Sequence, residues 1–236
     1  MARLAGIPQR IGFSGAPGAF LYTEARAPSG GPMSSRIAAL AGPTSEPLPA
    51  PPWLALSESD RARAEQWLLE RRIPPRFLVF APGARWGTKR WPFYSELAAA
   101  VRQPIVVLGG GDDVALGEAI VAGAPGRSWN AAGALPLMVS AALLARAALL
   151  VTNDSAPLHL ATALGVPVVA LFGPTVPAFG FGPVWPGDQV VEHPLLGCRP
   201  CHHHGPVACP LGHHRCMREL GVEQVVEAVM EVGSRR

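Results

Sequence analysis

A chain of 236 residues, 49% of them hydrophobic, has room for one large domain or for a domain plus part of another, and its apolar content supplies a core. Its 20 basic and 17 acidic side chains leave a formal charge of +3, too small for the electrostatic footprint of a general nucleic-acid binder, so nucleic acid is set aside as a partner. No run reaches the roughly eighteen continuous apolar residues of a membrane span, and Met1-Ala2-Arg3-Leu4 does not open a signal peptide's apolar stretch, so a soluble, cytoplasmic protein is expected.

Many of the 26 prolines and 26 glycines fall between Gly15 and Pro52, where Ala16-Pro17-Gly18 and Pro47-Leu48-Pro49-Ala50-Pro51-Pro52 forbid long regular elements. This stretch reads as loop and linker, with a short strand over 9–13 and a short helix over 34–40. Ser57-Glu58-Ser59-Asp60 offers cap chemistry for a helix to about Arg71, with Ala62, Ala64, Trp67 and Leu68 on its apolar face. From Phe77 short apolar runs alternate with helical stretches. Strands are expected at 77–80, 105–108, 148–151 and 166–171, and helices at 93–101, 114–121, 137–145 and 158–164. The strands lack polar alternation, as when helices cover both faces of a parallel sheet, so the fold class is α/β, a Rossmann-like parallel sheet. A last amphipathic helix over 222–232 turns Val225, Val226 and Val229 inward.

In such a sheet ligands sit beyond the carboxyl ends of the strands. The loop after Phe80 holds Gly83, Arg85, Thr88, Lys89 and Arg90 ahead of a helix starting at Pro92, a phosphate site built from cations and a helix N-terminus, or a solvated basic turn. Gly109-Gly110-Gly111-Asp112-Asp113 offers a tight turn whose acids either accept from ribose hydroxyls or cap the next helix. The uncharged loop 130–136 offers backbone and apolar contacts, such as a wall for a base. Asn153-Asp154-Ser155-Ala156-Pro157-Leu158-His159 combines a helix start, which suits an anion, with Asp154, whose charge suits ligand hydroxyls better than phosphate. The alternative there is a plain capped helix with His159 on its buried face.

These residues resemble glycosyltransferase family 9, which contains the bacterial ADP-heptose:lipopolysaccharide heptosyltransferases. The resemblance rests on Pro82-Gly83-Ala84 with Lys89-Arg90-Trp91-Pro92, Leu108-Gly109-Gly110 with Asp112-Asp113, Asn153 to Ala161, and Ala170-Leu171-Phe172-Gly173-Pro174-Thr175. It implies the C-terminal half of a GT-B fold, with residues 1–55 a remnant of the N-terminal acceptor domain plus linker and 56–236 the nucleotide-sugar domain. By the same resemblance Lys89 is catalytic, offsetting leaving-group charge. Substrate binding falls to Arg85, Thr88, Asp113 (ribose), Leu135 (adenine), and Asp154, Ser155, Ala156 and His159 (sugar and diphosphate). The implied reaction is inverting transfer from an ADP-sugar, most simply ADP-heptose, to a lipid-linked or core saccharide of the cell envelope, without cofactor or metal. The family's acceptor-activating aspartate lies in the amino-terminal domain, so the chain alone is expected to transfer sugar poorly. Self-association, the missing half and peripheral contact with the inner membrane are further expected partners. The alternative is a non-catalytic nucleotide-binding or partner-docking module. Cys198, Cys201, Cys209 and Cys216, interleaved with five histidines, have the density of a zinc site, though thiols or local disulfides fit as well.

Overall fold

The structure, a computed structural model, describes residues 3–28, 30–41 and 52–234; most of the proline-rich linker read at 47–52 lies outside them. In chain order it contains β1 (Ile11–Phe13), β2 (Glu24–Arg26), α1 (Met33–Ala38), α2 (Glu58–Glu70), β3 (Leu78–Ala81), α3 (Tyr94–Ala100), β4 (Ile105–Val107) and α4 (Val114–Gly123). Then follow β5 (Ser128–Asn130), α5 (Leu137–Leu144), β6 (Leu149–Asn153), α6 (Ala156–Leu164), β7 (Val168–Phe172), β8 (Gln189–Glu192), α7 (Arg215–Arg218) and α8 (Val222–Ser234). Strands β3 to β8 make one sheet in the order β5-β4-β3-β6-β7-β8, parallel throughout. β1 and β2 pair in a separate parallel ribbon, and Met33 N–H donates to the Gly180 carbonyl (2.9 Å) where the early segment meets the main body.

Successive side chains of a strand point to opposite faces, and each central strand here feeds two cores. Leu78, Phe80, Ile105, Val107, Leu149, Val151, Val169 and Leu171 pack with Leu97 of α3, Ile120 of α4 and Val225, Val229 and Val232 of α8. Val79, Val106, Leu150, Val168 and Ala170 pack with Trp67 and Leu68 of α2, Val139 and Leu143 of α5 and Leu158 of α6. That two-sided burial is why these strands read as unbroken apolar runs. The sheet also holds two strands beyond the four expected. β5 (Ser128-Trp129-Asn130) and β8 (Gln189-Val190-Val191-Glu192) are its two edges, where one flank has no neighbour and polar residues are tolerated, so neither carries an apolar run.

Local chemistry sets the boundaries. The Ser57 hydroxyl accepts from Asp60 N–H (3.1 Å) at the start of α2, and Gly165, at φ 68°, ends α6 in the left-handed conformation that glycine tolerates. From β3 the chain runs outward through β4 to β5, then crosses back to place β6, β7 and β8 on the other flank. The order therefore reverses between β3 and β6, and the crevice above that reversal is where an open α/β sheet holds a ligand.

Candidate functional site

A cavity of about 710 Å³ opens at this crevice, of a size typical for small-molecule sites. The loops after β3, β4 and β6 form it, and Leu135 and Leu137 close one side. Arg85, Lys89, Asp113, Leu135, Asp154, Ser155 and Ala156 all line it; Thr88 and His159 do not.

Asn153, fully buried at the end of β6, fixes the β3 loop. Its Nδ2 donates to the Pro82 carbonyl (2.7 Å), and its Oδ1 accepts from Trp91 N–H (3.2 Å). The Trp91 indole in turn donates to the Leu220 carbonyl (2.9 Å), so both ends of loop 82–91 are held while Lys89 projects from the short 3₁₀ turn Gly87–Lys89 between them. The expected helix start at Pro92 is corrected: α3 begins at Tyr94 and is seven residues long. Trp91, Phe93 and Tyr94 pack edge to face at its start, and no residue of its first turn lines the cavity.

Lys89 Nζ lies 2.6 Å from Asp154 Oδ2, with the two side chains only 12% and 7% exposed. The buried Thr175 hydroxyl donates to the same oxygen (2.6 Å). Asp154, expected to face ligand hydroxyls, thus already has a cation and a hydroxyl as partners. Beside it α6 begins. Ser155 is the N-cap residue yet makes no side-chain cap; its hydroxyl lies 3.3 Å from Thr152 Oγ1 instead. The amides of Ser155 and Ala156 have no hydrogen-bond partner among the described residues, so they and the Lys89 ammonium frame a place for an anion at the helix start.

Asp113 sits across the cavity. Its Oδ2 accepts from Gly110 N–H (3.0 Å), which closes the 3₁₀ turn Gly111–Asp113; Asp113 is the N-cap residue of α4 but makes no side-chain cap there, and its carboxylate stays on the cavity wall. Gly83 and Gly109 make room for it: a Cβ on Gly83 would lie 2.4 Å from the carboxylate, and one on Gly109 2.6 Å from Asp113 Cβ. Leu135 and the exposed Leu137 add an apolar wall, and Arg85 stands at the mouth with its guanidinium over the Trp86 ring (5.5 Å).

Two expected ligands lie elsewhere. Thr88 is buried, and its hydroxyl donates to the Pro206 carbonyl, tying the β3 loop to the cysteine-rich segment rather than to the cavity. His159 is exposed instead of buried on α6, its ring edge-on to Phe181 (6.0 Å). Partial desolvation pulls its pKa below the usual imidazole value; Asp154 opposes that pull and Lys89 adds to it, so the ring senses the ion pair without lining the cavity.

The cysteine-rich segment supports the Lys89 loop from outside. His214 Nε2 lies 2.7 Å from the Thr88 carbonyl, and Gly205 lies so close to the Lys89 methylenes that a Cβ there would meet them at 3.1 Å. All four cysteines are free, and among the described residues no three His, Cys, Asp or Glu side chains are arranged to hold a metal ion. Burial raises the Cys216 thiol to about 11, while backbone N–H donors, His214 first, lower Cys209. Thr175 stands at the end of the motif Ala170 to Thr175, which carries the resemblance but assigns it no role, and the structural roles of Asn153 and Trp91 have no signal in the sequence beyond their places in such motifs.

Fold and cavity together define a Rossmann-like domain with a cleft at its switch point. Residues 1–209 match the profile of glycosyltransferase family 9 (heptosyltransferase), and the chain belongs to that family. It is 35% identical over 197 residues to lipopolysaccharide heptosyltransferase 2 of Escherichia coli K12, a match covering 74% of this chain and 56% of that one. The solved structure of E. coli ADP-heptose lps heptosyltransferase II superposes with a TM-score of 0.75 at 27% identity, covering 99% of this chain and 72% of the other. That of the glycosyl transferase family 9 protein from Veillonella parvula gives 0.79 at 22% identity over 97% and 68%, a likeness of fold. The chain thus spans about half the length of the E. coli curated relative, and less of several others. Among the described residues no helix is long and apolar enough to cross a membrane.

Proposed function

We propose that the chain forms the donor-binding half of a cytoplasmic glycosyltransferase that takes an ADP-sugar, ADP-heptose first, and serves inverting transfer to a lipopolysaccharide-core or related cell-envelope acceptor. The observation that carries this reading is the convergence, in one cavity, of the Lys89 ammonium and the unpartnered amides of Ser155 and Ala156 opposite Asp113 and Leu135. The diphosphate lies at the start of α6, the ribose hydroxyls reach Asp113, and the adenine rests on Leu135 and Leu137. In the reaction the acceptor oxygen attacks the anomeric carbon from the face opposite ADP, and the bond to the diphosphate oxygen breaks with its electron pair going to ADP. Lys89 and the two amides meet that growing negative charge, which is where fixed donors accelerate such a step. The acceptor's proton passes to a base on the amino-terminal side of the cleft. Residues 1–55 belong to that side and 56–236 to the donor side; the exposed Leu4, Phe20, Ile37 and Trp53 suit contact with further acceptor-side structure or a second copy. The E. coli relative, whose name reads ADP-heptose lps heptosyltransferase II, supports the choice of donor.

Deleting the coding sequence in the host and weighing its lipopolysaccharide core by mass spectrometry tests the reading. Loss of a heptose from the core supports it; an unchanged core overturns it and leaves a non-catalytic nucleotide-binding module.

A further inference from the structure

Lys89 is the single lysine in 236 residues; the other 19 basic side chains are arginines. Its ammonium is spent, in the free protein, on a carboxylate that has almost no access to water. A diphosphate at the start of α6 competes for the same ammonium, and Asp154 cannot be rehydrated to make up the loss, because a buried carboxylate deprived of its cation is costly. One partner stays behind. The Thr175 hydroxyl remains on Asp154 Oδ2 because its backbone is held from the far side: Arg199 donates to the carbonyls of Phe172, Gly173 and Thr175 and pairs with Glu192 (2.8 Å). Lys89 instead sits on a short turn with a flexible stem.

We propose that Lys89 is exchanged from Asp154 to the incoming diphosphate, with Thr175 as the positioning residue that keeps Asp154 in place. Ligand hydroxyls then fill the position the ammonium leaves, so the site selects a diphosphate carrying a polyhydroxyl sugar over the bare nucleoside diphosphate. The inference rests on the donor reading above and adds to it the way the free site is prepared. A bare diphosphate takes the cation and leaves Asp154 with one donor; a sugar diphosphate takes the cation and returns donors. The carboxylate therefore discriminates through the ion pair that must be broken, as well as through any direct sugar contact. Thr175 touches neither phosphate nor sugar in this scheme.

The test is equilibrium titration of the full chain with ADP and with ADP-heptose, using the wild-type protein, Asp154→Asn, Thr175→Val and Thr175→Ser. Wild type binds ADP-heptose about tenfold or more tighter than ADP, the order of a charge left short of partners. Asp154→Asn has no carboxylate to abandon, so ADP binds more tightly than to wild type and the preference shrinks to about threefold or less. Thr175→Val takes the remaining donor away, weakening ADP about tenfold but ADP-heptose only about threefold, and Thr175→Ser restores the wild-type values. With lysine labelled at 15Nζ, the one side-chain resonance shifts when ADP binds wild type and shifts less in Asp154→Asn, where no ion pair is broken. An Asp154→Asn preference equal to that of wild type overturns the exchange, as does equal loss of both ligands in Thr175→Val; if Thr175→Val does not fold, the Asp154→Asn ratio decides alone. Failure of wild type to bind either ligand is a different result: it overturns the donor reading itself.

Discussion

Lys89 and Asp154 should behave energetically as one unit, and a double-mutant cycle measures it. At about 4 Å two unit charges attract by about 4 kcal/mol at an effective dielectric near 20. Desolvation of both groups offsets part of that, and exposures of 12% and 7% keep salt screening weak. Lys89→Met leaves the carboxylate with only the Thr175 hydroxyl, and its expected cost is about 3 kcal/mol, or roughly 6 to 12 °C in Tm for a domain of this size. Asp154→Asn keeps a group on Thr175 and frees an ammonium that can turn to water in the cavity, for about 1 to 2 kcal/mol. The double variant should then cost about 1 to 3 kcal/mol less than the sum of the singles. Urea unfolding of the four proteins, followed by far-ultraviolet circular dichroism, reads this directly. Additivity within about 0.5 kcal/mol would refute the pairing as a stabilising interaction.

Gly83→Ala drives a methyl group into the Asp113 carboxylate and should weaken ADP about tenfold while leaving pyrophosphate binding unchanged, because only the ribose contact is displaced; calorimetric titration of both separates these outcomes. Asn153→Ala strands the Trp91 N–H and the Pro82 carbonyl in the interior, at a cost of about 2 to 4 kcal/mol in chemical unfolding. Cys216, raised to about 11, is almost all thiol at pH 8, so iodoacetamide followed by mass spectrometry should modify Cys209 first and reach Cys216 in the folded protein only as the pH approaches 11. His159 should titrate below the ordinary imidazole value; Asp154→Asn, which removes the opposing carboxylate, should lower its midpoint further and Lys89→Met should raise it, as followed by proton NMR of the ring.

How far the sequence could be read follows from which forces are local. The central strands were legible because burial on both faces leaves nothing but apolar residues in them. The edge strands β5 and β8 were not, since their polar residues find partners distant in sequence or in a neighbouring turn: the buried Ser128 hydroxyl donates to the Ala124 carbonyl, Asn130 donates to Glu118, and Glu192 pairs with Arg199. The Ser57 cap was legible because a cap acts within three residues. Thr88 and Lys89 show the limit. They are neighbours in sequence, but successive side chains on a 3₁₀ turn diverge by about a third of a revolution, so Thr88 meets Pro206 while Lys89 meets Asp154. The pairing of Lys89 with Asp154 spans 65 residues and arises only when β3 and β6 lie side by side, which no spacing rule reports. The charge of Asp154 is legible in the sequence, but not that the fold meets it from inside the protein, with Lys89 and Thr175.

On the function proposed above, this cavity binds an adenosine diphosphate through Lys89 and the start of α6. Calorimetric titration of the purified chain with ADP, beside its Lys89→Met variant, tests that most directly. The wild type should show one saturable site that is weakened about tenfold or more in the variant, as loss of a charged hydrogen-bond donor requires. Absence of saturable binding, or equal binding by both proteins, would contradict it.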